Sequence, residues 1–119
     1  MKIYFGHARE IDYEAIYRAV REDEFFDDAE VVFPHEREEA HENNPREFYK
    51  TLDLFVAEVS KPATGLGIEL GWAFDDGVRI VGFYKKGEQP SGSVYAVTSE
   101  ILEYGTAEEL VELVKEKVK

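Results

Sequence analysis

Hydrophobic positions come in short blocks whose spacing switches between strand-like and helix-like. Residues 2–5 form a first apolar strand, ended by Gly6. Over residues 11–21 the apolar positions 13, 16, 17 and 20 make a helical stripe, and Asp12 stands where it can cap the start. Residues 30–33 predict a short second strand, stopped by Pro34. Residues 35–46 are polar and acidic without periodicity, and Pro45 opens a short helix carrying Phe48, Tyr49 and Leu52. Residues 54–59 are a nearly continuous apolar run, the pattern of a strand at the buried centre of a parallel sheet. A helix follows from near Gly67 to Asp76-Gly77, with Leu70, Ala73 and Phe74 inward. Residues 78–84 give a fourth strand, 85–92 a turn-rich loop, and 93–100 fit either helix or strand. Residues 101–104 give a fifth strand. Thr106 and Glu109 then make a capping box for a last helix with Leu110, Val111, Leu113, Val114 and Val118 inward.

Strands alternating with helices imply an α/β fold with a parallel sheet and crossover helices. Five strands in 119 residues suggest a single domain over 1–119. The expected form is a flavodoxin-like three-layer sandwich with strand order 2-1-3-4-5. In that order a ligand binds at the C-terminal strand ends, near the switch between strands 1 and 3. This brings Gly6, His7, Ala8 and Arg9 beside residues 60–69.

Charge narrows the partners. Acidic residues number 26 against 14 basic ones, for a net charge of −12, which argues against an extended nucleic-acid surface. A small phosphate-bearing ligand stays compatible, because a few amides and one Arg can hold a phosphate locally. With no cysteine there is neither a disulfide framework nor a thiolate metal site. The pair His35-Glu36 with His41 lacks the His-Glu-x-x-His spacing, so no metal site is expected there. No run of 18 apolar residues and no signal-peptide pattern occurs, which predicts a soluble, cytoplasmic chain without a membrane partner.

The chemistry concentrates between residues 56 and 71, where an apolar strand feeds a polar turn, the glycines Gly65 and Gly67, and then Glu69. A strand leading into a glycine loop and a helix start makes an anion-friendly edge. A carboxylate there is held in a field that favours its ionised form. Glu69 reads either as a nucleophile presented to a sugar carbon or as a first-turn acid favoured by the helix dipole. Gly65 and Gly67 either approach a ligand or only permit tight packing. Thr64 either caps the helix or meets a phosphate. Glu58, set among Val56, Ala57 and Val59, needs a hydrogen-bond or charge partner if buried, and supports a site rather than reacting. Asp53 reads as structural, and Trp72, Tyr84 and Tyr95 as core or interface aromatics.

The run Val56-Ala57-Glu58-Val59-Ser60-Lys61-Pro62-Ala63-Thr64-Gly65-Leu66-Gly67-Ile68-Glu69-Leu70-Gly71-Trp72-Ala73 resembles the signature of the nucleoside 2-deoxyribosyltransferase family. It is most similar to the branch of 2'-deoxynucleoside 5'-monophosphate N-glycosidases. Residues 3–9 resemble a shortened form of that branch's opening strand and loop, and Phe33-Pro34-His35 resembles the end of its second strand. The resemblance is thin over most of the chain and strong over 53–74. It implies cleavage of the N-glycosidic bond of a 2'-deoxynucleoside or its 5'-monophosphate, by hydrolysis or base transfer, through a glycosyl–glutamate intermediate and without a cofactor. It implies that Glu69 is the nucleophile and that Tyr4 lies beside it. Gly6, His7 and Arg9 would contact base and phosphate, with Thr64, Gly65 and Gly67 also at the substrate. Ser93 would reach a phosphate in the partner subunit's site, which implies a homodimer with shared sites.

Three departures accompany the match. The opening loop is one residue shorter, with His7 where the family has serine. Ala63 stands at a phosphate-binding serine of the monophosphate branch, and Thr64 could compensate. Pro45 aligns with the family's second carboxylate. The alternative is therefore a catalytically impaired nucleotide-binding module on the same fold. A receiver domain is disfavoured, because it needs an acidic cluster after strand 1 and a lysine after strand 5. Those places hold Gly6-His7-Ala8 and Tyr104-Gly105-Thr106.

Overall fold

The structure, a computed structural model, describes residues 1–34 and 45–119. Five strands run as β1 (Lys2–His7), β2 (Glu30–Val32), β3 (Leu54–Glu58), β4 (Arg79–Lys85) and β5 (Ile101–Tyr104). Among the described residues the helices are α1 (Tyr13–Arg21), α2 (Pro45–Tyr49), α3 (Thr64–Asp75) and α4 (Ala107–Val118), with 3₁₀ turns at Glu24–Phe26 and Gly92–Ala96. Every strand pair is parallel and the order is β2-β1-β3-β4-β5, as the pattern predicts.

Alternation along the strands divides the core in two. Ile3 and Phe5 of β1 and Leu54 and Val56 of β3 point to one face, where Ile16, Tyr17 and Val20 of α1 and Leu110, Val111 and Val114 of α4 cover them. Tyr4, Phe55, Ala57 and Ile80 point to the other face, under Tyr49 of α2 and Leu66, Leu70 and Ala73 of α3. The starts of α1 and α4 are capped. Asp12 accepts a hydrogen bond from the Ala15 amide at 3.3 Å, and Thr106 accepts from the Glu109 amide at 3.1 Å. The Glu109 carboxylate reaches back to the Gly105 amide. These bonds satisfy amides that a helix start leaves without internal acceptors.

The structure departs from the predicted pattern at several places. β1 continues through Gly6 to His7, because Gly6 pairs with Ala57 and His7 with Glu58 across β3. Gly6 is demanded by packing rather than by a turn: a Cβ there would lie 2.7 Å from the Phe55 ring. β2 ends at Val32, one residue before Phe33. The helix expected near Gly67 begins at Thr64, and its buried residues are Leu66, Leu70 and Ala73. Phe74, expected inward, is 56% exposed, since it falls one step round the helix from that buried line. The ambiguous stretch 93–100 enters a 3₁₀ turn and then irregular chain. There the Thr98 hydroxyl donates to the Ile80 carbonyl at 2.6 Å and accepts from the Glu100 amide at 3.0 Å, a local alternative to a ladder.

Candidate active site

Tyr4 sits in the middle of β1 and Phe55 at the matching position of β3, so both side chains rise toward α2 and α3. Their rings meet edge-to-face at 5.0 Å, and Tyr49 of α2 meets Tyr4 the same way at 5.4 Å. The two phenols converge on Glu69 of α3. The Tyr4 hydroxyl lies 3.2 Å from each Glu69 carboxylate oxygen, and the Tyr49 hydroxyl donates to Oε2 at 2.8 Å. Burial, then the negative charge of Glu69, then Tyr49, push the Tyr4 phenol far above its ordinary value. It therefore stays protonated and acts as a donor throughout the physiological range. Hydrogen bonds from two phenols favour the charged form of the carboxylate they hold.

With the helix starting at Thr64, Glu69 stands in the second turn, beyond the reach at which the helix dipole acts strongly. Its setting comes from tyrosines more than from the helix end. The start of α3 is itself uncapped: Ala63 occupies the N-cap position and supplies no side-chain acceptor. Thr64 is the first helical residue and not the cap. The amides of this first turn are thus open to an external acceptor.

Beside that turn lies a cavity of about 330 Å³, bounded by Lys61, Ala63, Thr64, Gly67, Ser91 and Ser93 among others. Ser91 and Ser93 share a hydrogen bond at 3.1 Å, and Lys61 pairs with Glu88 at 3.1 Å. Thr64, Gly67 and Ser93 therefore meet around one space. Glu69 does not line it, standing two residues past Gly67 and round the helix. Gly65, one turn before Glu69, shares its side of α3, and a Cβ there would meet nothing within 4 Å. The site residues thus fall into two neighbouring groups on α3, one around Glu69 and one around the serine-lined cavity.

Other candidates lie apart. Gly6 is buried beneath Phe55 and Leu66. His7 points to the opposite sheet face from Tyr4. There its ring stacks on Tyr13 at 4.6 Å, and its Nε2 lies 2.6 Å from the Tyr17 hydroxyl. Arg9 is exposed beyond the end of β1. Glu58 is buried and finds the partners it needs: the Ser60 amide at 2.7 Å, the Ser60 hydroxyl at 2.9 Å and the Tyr104 phenol. Asp53 accepts from the Lys2 amide at 2.7 Å, tying the start of β1. Tyr49, read from the sequence only as part of the short helix opened by Pro45, joins the site. Nothing in the sequence pattern marks its hydroxyl as a partner of Glu69. The His35–His41 segment lies outside the described residues. Among the described residues no cluster of three potential ligands could hold a metal, and no helix is long and apolar enough to cross a membrane.

No protein-family model and no curated protein sequence matches the chain. Solved structures do. A conserved protein from Enterococcus faecalis V583 superposes with a TM-score of 0.69 at 18% identity, covering 98% of each chain. The CMP N-glycosidase BcmB of Clostridium botulinum superposes with a TM-score of 0.67 at 19% identity, covering 97% of this chain and 99% of its own. Over nearly its whole length, then, this chain shares the α/β fold of these two proteins.

Proposed function

We propose that the chain cleaves the N-glycosidic bond of a 2'-deoxynucleoside or its 5'-monophosphate, with Glu69 as nucleophile. The carrying observation is the Glu69 carboxylate held by the Tyr4 and Tyr49 phenols. The sequence resemblance and the shared fold with a CMP N-glycosidase support the same reading. In the first step a Glu69 oxygen bonds to the anomeric carbon as the carbon–nitrogen bond breaks. The bonding pair leaves with the base, which takes up a proton. Positive charge develops on the sugar at the transition state, and the adjacent carboxylate stabilises it. In the second step water, or a second base, attacks the glycosyl ester and frees Glu69. A sugar lacking the 2'-hydroxyl forms the cationic transition state more readily, which is the chemical reason for a deoxy preference.

The uncapped amides at the start of α3, with Thr64 and Ser93 across the cavity, suit a 5'-phosphate. A homodimer belongs to the same reading, although Ser93 lines the cavity of its own chain. Ile68, Phe74 and Tyr95, exposed by 50, 56 and 57%, offer apolar surface for a second copy. Sedimentation at micromolar concentration is expected to report a dimer.

The test is incubation with deoxynucleosides, ribonucleosides and the 5'-monophosphates of both, following free base by chromatography, with and without an acceptor base. Release from deoxy substrates that vanishes in Glu69→Gln is expected. Release from CMP alone would replace the deoxy preference with a ribonucleotide one. Saturable binding with no release from any substrate would leave the binding module, with Pro45 and Ala63 as its cause.

A further inference from the structure

We propose that Tyr49 is a positioning residue for Glu69, holding one carboxylate oxygen so that the group meets the sugar in a single orientation. The proposal rests on the nucleophile reading above and adds a residue to it. Tyr49 donates to Oε2 at 2.8 Å, the shorter of the two phenol contacts, since Tyr4 is 3.2 Å from both oxygens. A phenol shared between two oxygens lets a carboxylate pivot, whereas a second donor on one oxygen fixes it.

Tyr49 can do this because it is itself held. Its ring is 2% exposed and contacts four aromatic neighbours: Tyr4, Phe48, Phe55 and Trp72. A five-residue helix does not persist alone, so α2 depends on such contacts. Arg46 supplies another anchor by reaching Asp75 at 2.9 Å and Asp76 at the far end of α3. The helix that presents Tyr49 is thus clamped to the helix that carries Glu69. The charged groups of these elements are engaged with one another: Arg46 with Asp75 and Asp76, and Lys50 with Glu47 at 3.1 Å. Lys2, at the start of β1, lies over the Phe48 ring at 4.7 Å and pairs with Glu30. Tyr4 and Tyr49, both neutral, are among the groups that bond the carboxylate.

Tyr49→Phe removes the hydroxyl and keeps the ring, so it separates positioning from packing. Two measurements on folded protein test it. The first needs no activity: carbon-13 NMR titration of the Glu69 carboxyl, identified as the resonance missing in Glu69→Gln. Loss of a donor to the charged form should raise its titration midpoint by about one pH unit. An unchanged midpoint in Tyr49→Phe would overturn the proposal. The second is steady-state kinetics on the best substrate, where kcat should fall about 10- to 100-fold while KM changes little. A fall in KM-limited binding alone, with kcat intact, would also overturn it. A shifted midpoint in a wild-type protein that releases no base would sustain Tyr49's hold on Glu69 and reject the glycosidase reading.

Discussion

At the scale of single residues, the site is defined by what is bonded to Glu69 and by what is missing at Ala63. Ala63 has an extended backbone, φ −152° and ψ 127°, at the N-cap of α3, yet offers no acceptor. Ala63→Ser should stabilise the protein by about 1 kcal/mol, read as a higher thermal midpoint. On the proposed function the same change should lower KM for 5'-monophosphates more than for nucleosides. Gly6 is constrained in the opposite sense. Gly6→Ala drives a methyl into the fully buried Phe55 ring and toward Leu66, and should cost about 1–3 kcal/mol by chemical denaturation. The pairing of Tyr4 with Glu69 was legible from the sequence through family resemblance, over a separation of 65 positions. Tyr49 was not legible as a site residue. A buried tyrosine in an apolar pattern looks the same whether its hydroxyl meets a catalytic carboxylate or a backbone carbonyl.

At the scale of elements, strands were easier to read than helix ends. The near-continuous apolar run of β3, buried at every position, the Asp12 cap of α1 and the Thr106–Glu109 capping box of α4 are local signals that tertiary contacts reinforce. The start of α3 is not legible from the sequence, because Gly65 and Gly67 look like a loop and glycine does weaken an isolated helix. Packing of Leu66 and Leu70 against the sheet outweighs that cost and draws the first turn into the helix. The same three-residue shift moves Glu69 from the first turn to the second. His7 was placed near the substrate by its position after strand 1. Strand periodicity carries it to the α1 face instead, where Tyr13 and Tyr17 hold it. Position in the chain says which strand end a residue occupies, and one step of register decides which face it serves.

At the scale of the whole molecule, two buried phenols on opposite faces of one sheet bear on stability. Burial and Glu58 push the Tyr104 phenol up, as burial and Glu69 do for Tyr4. Both folded values lie above the unfolded value of about 10, so the folded state favours the protonated phenols. Their contribution is complete below about pH 10 and is lost as the pH climbs above it. The urea midpoint should therefore fall steeply above that pH. Tyr104→Phe should be less stable at neutral pH, having removed a donor from buried Glu58, yet fall less steeply in alkali. The most direct test of the whole is base release by wild type and Glu69→Gln on the best substrate of the nucleotide panel, after matched melting curves show both folded. Replacing a carboxylate nucleophile by its amide should reduce release by orders of magnitude. Comparable turnover in Glu69→Gln would contradict the assignment of Glu69, and with it the mechanism built on its two phenols.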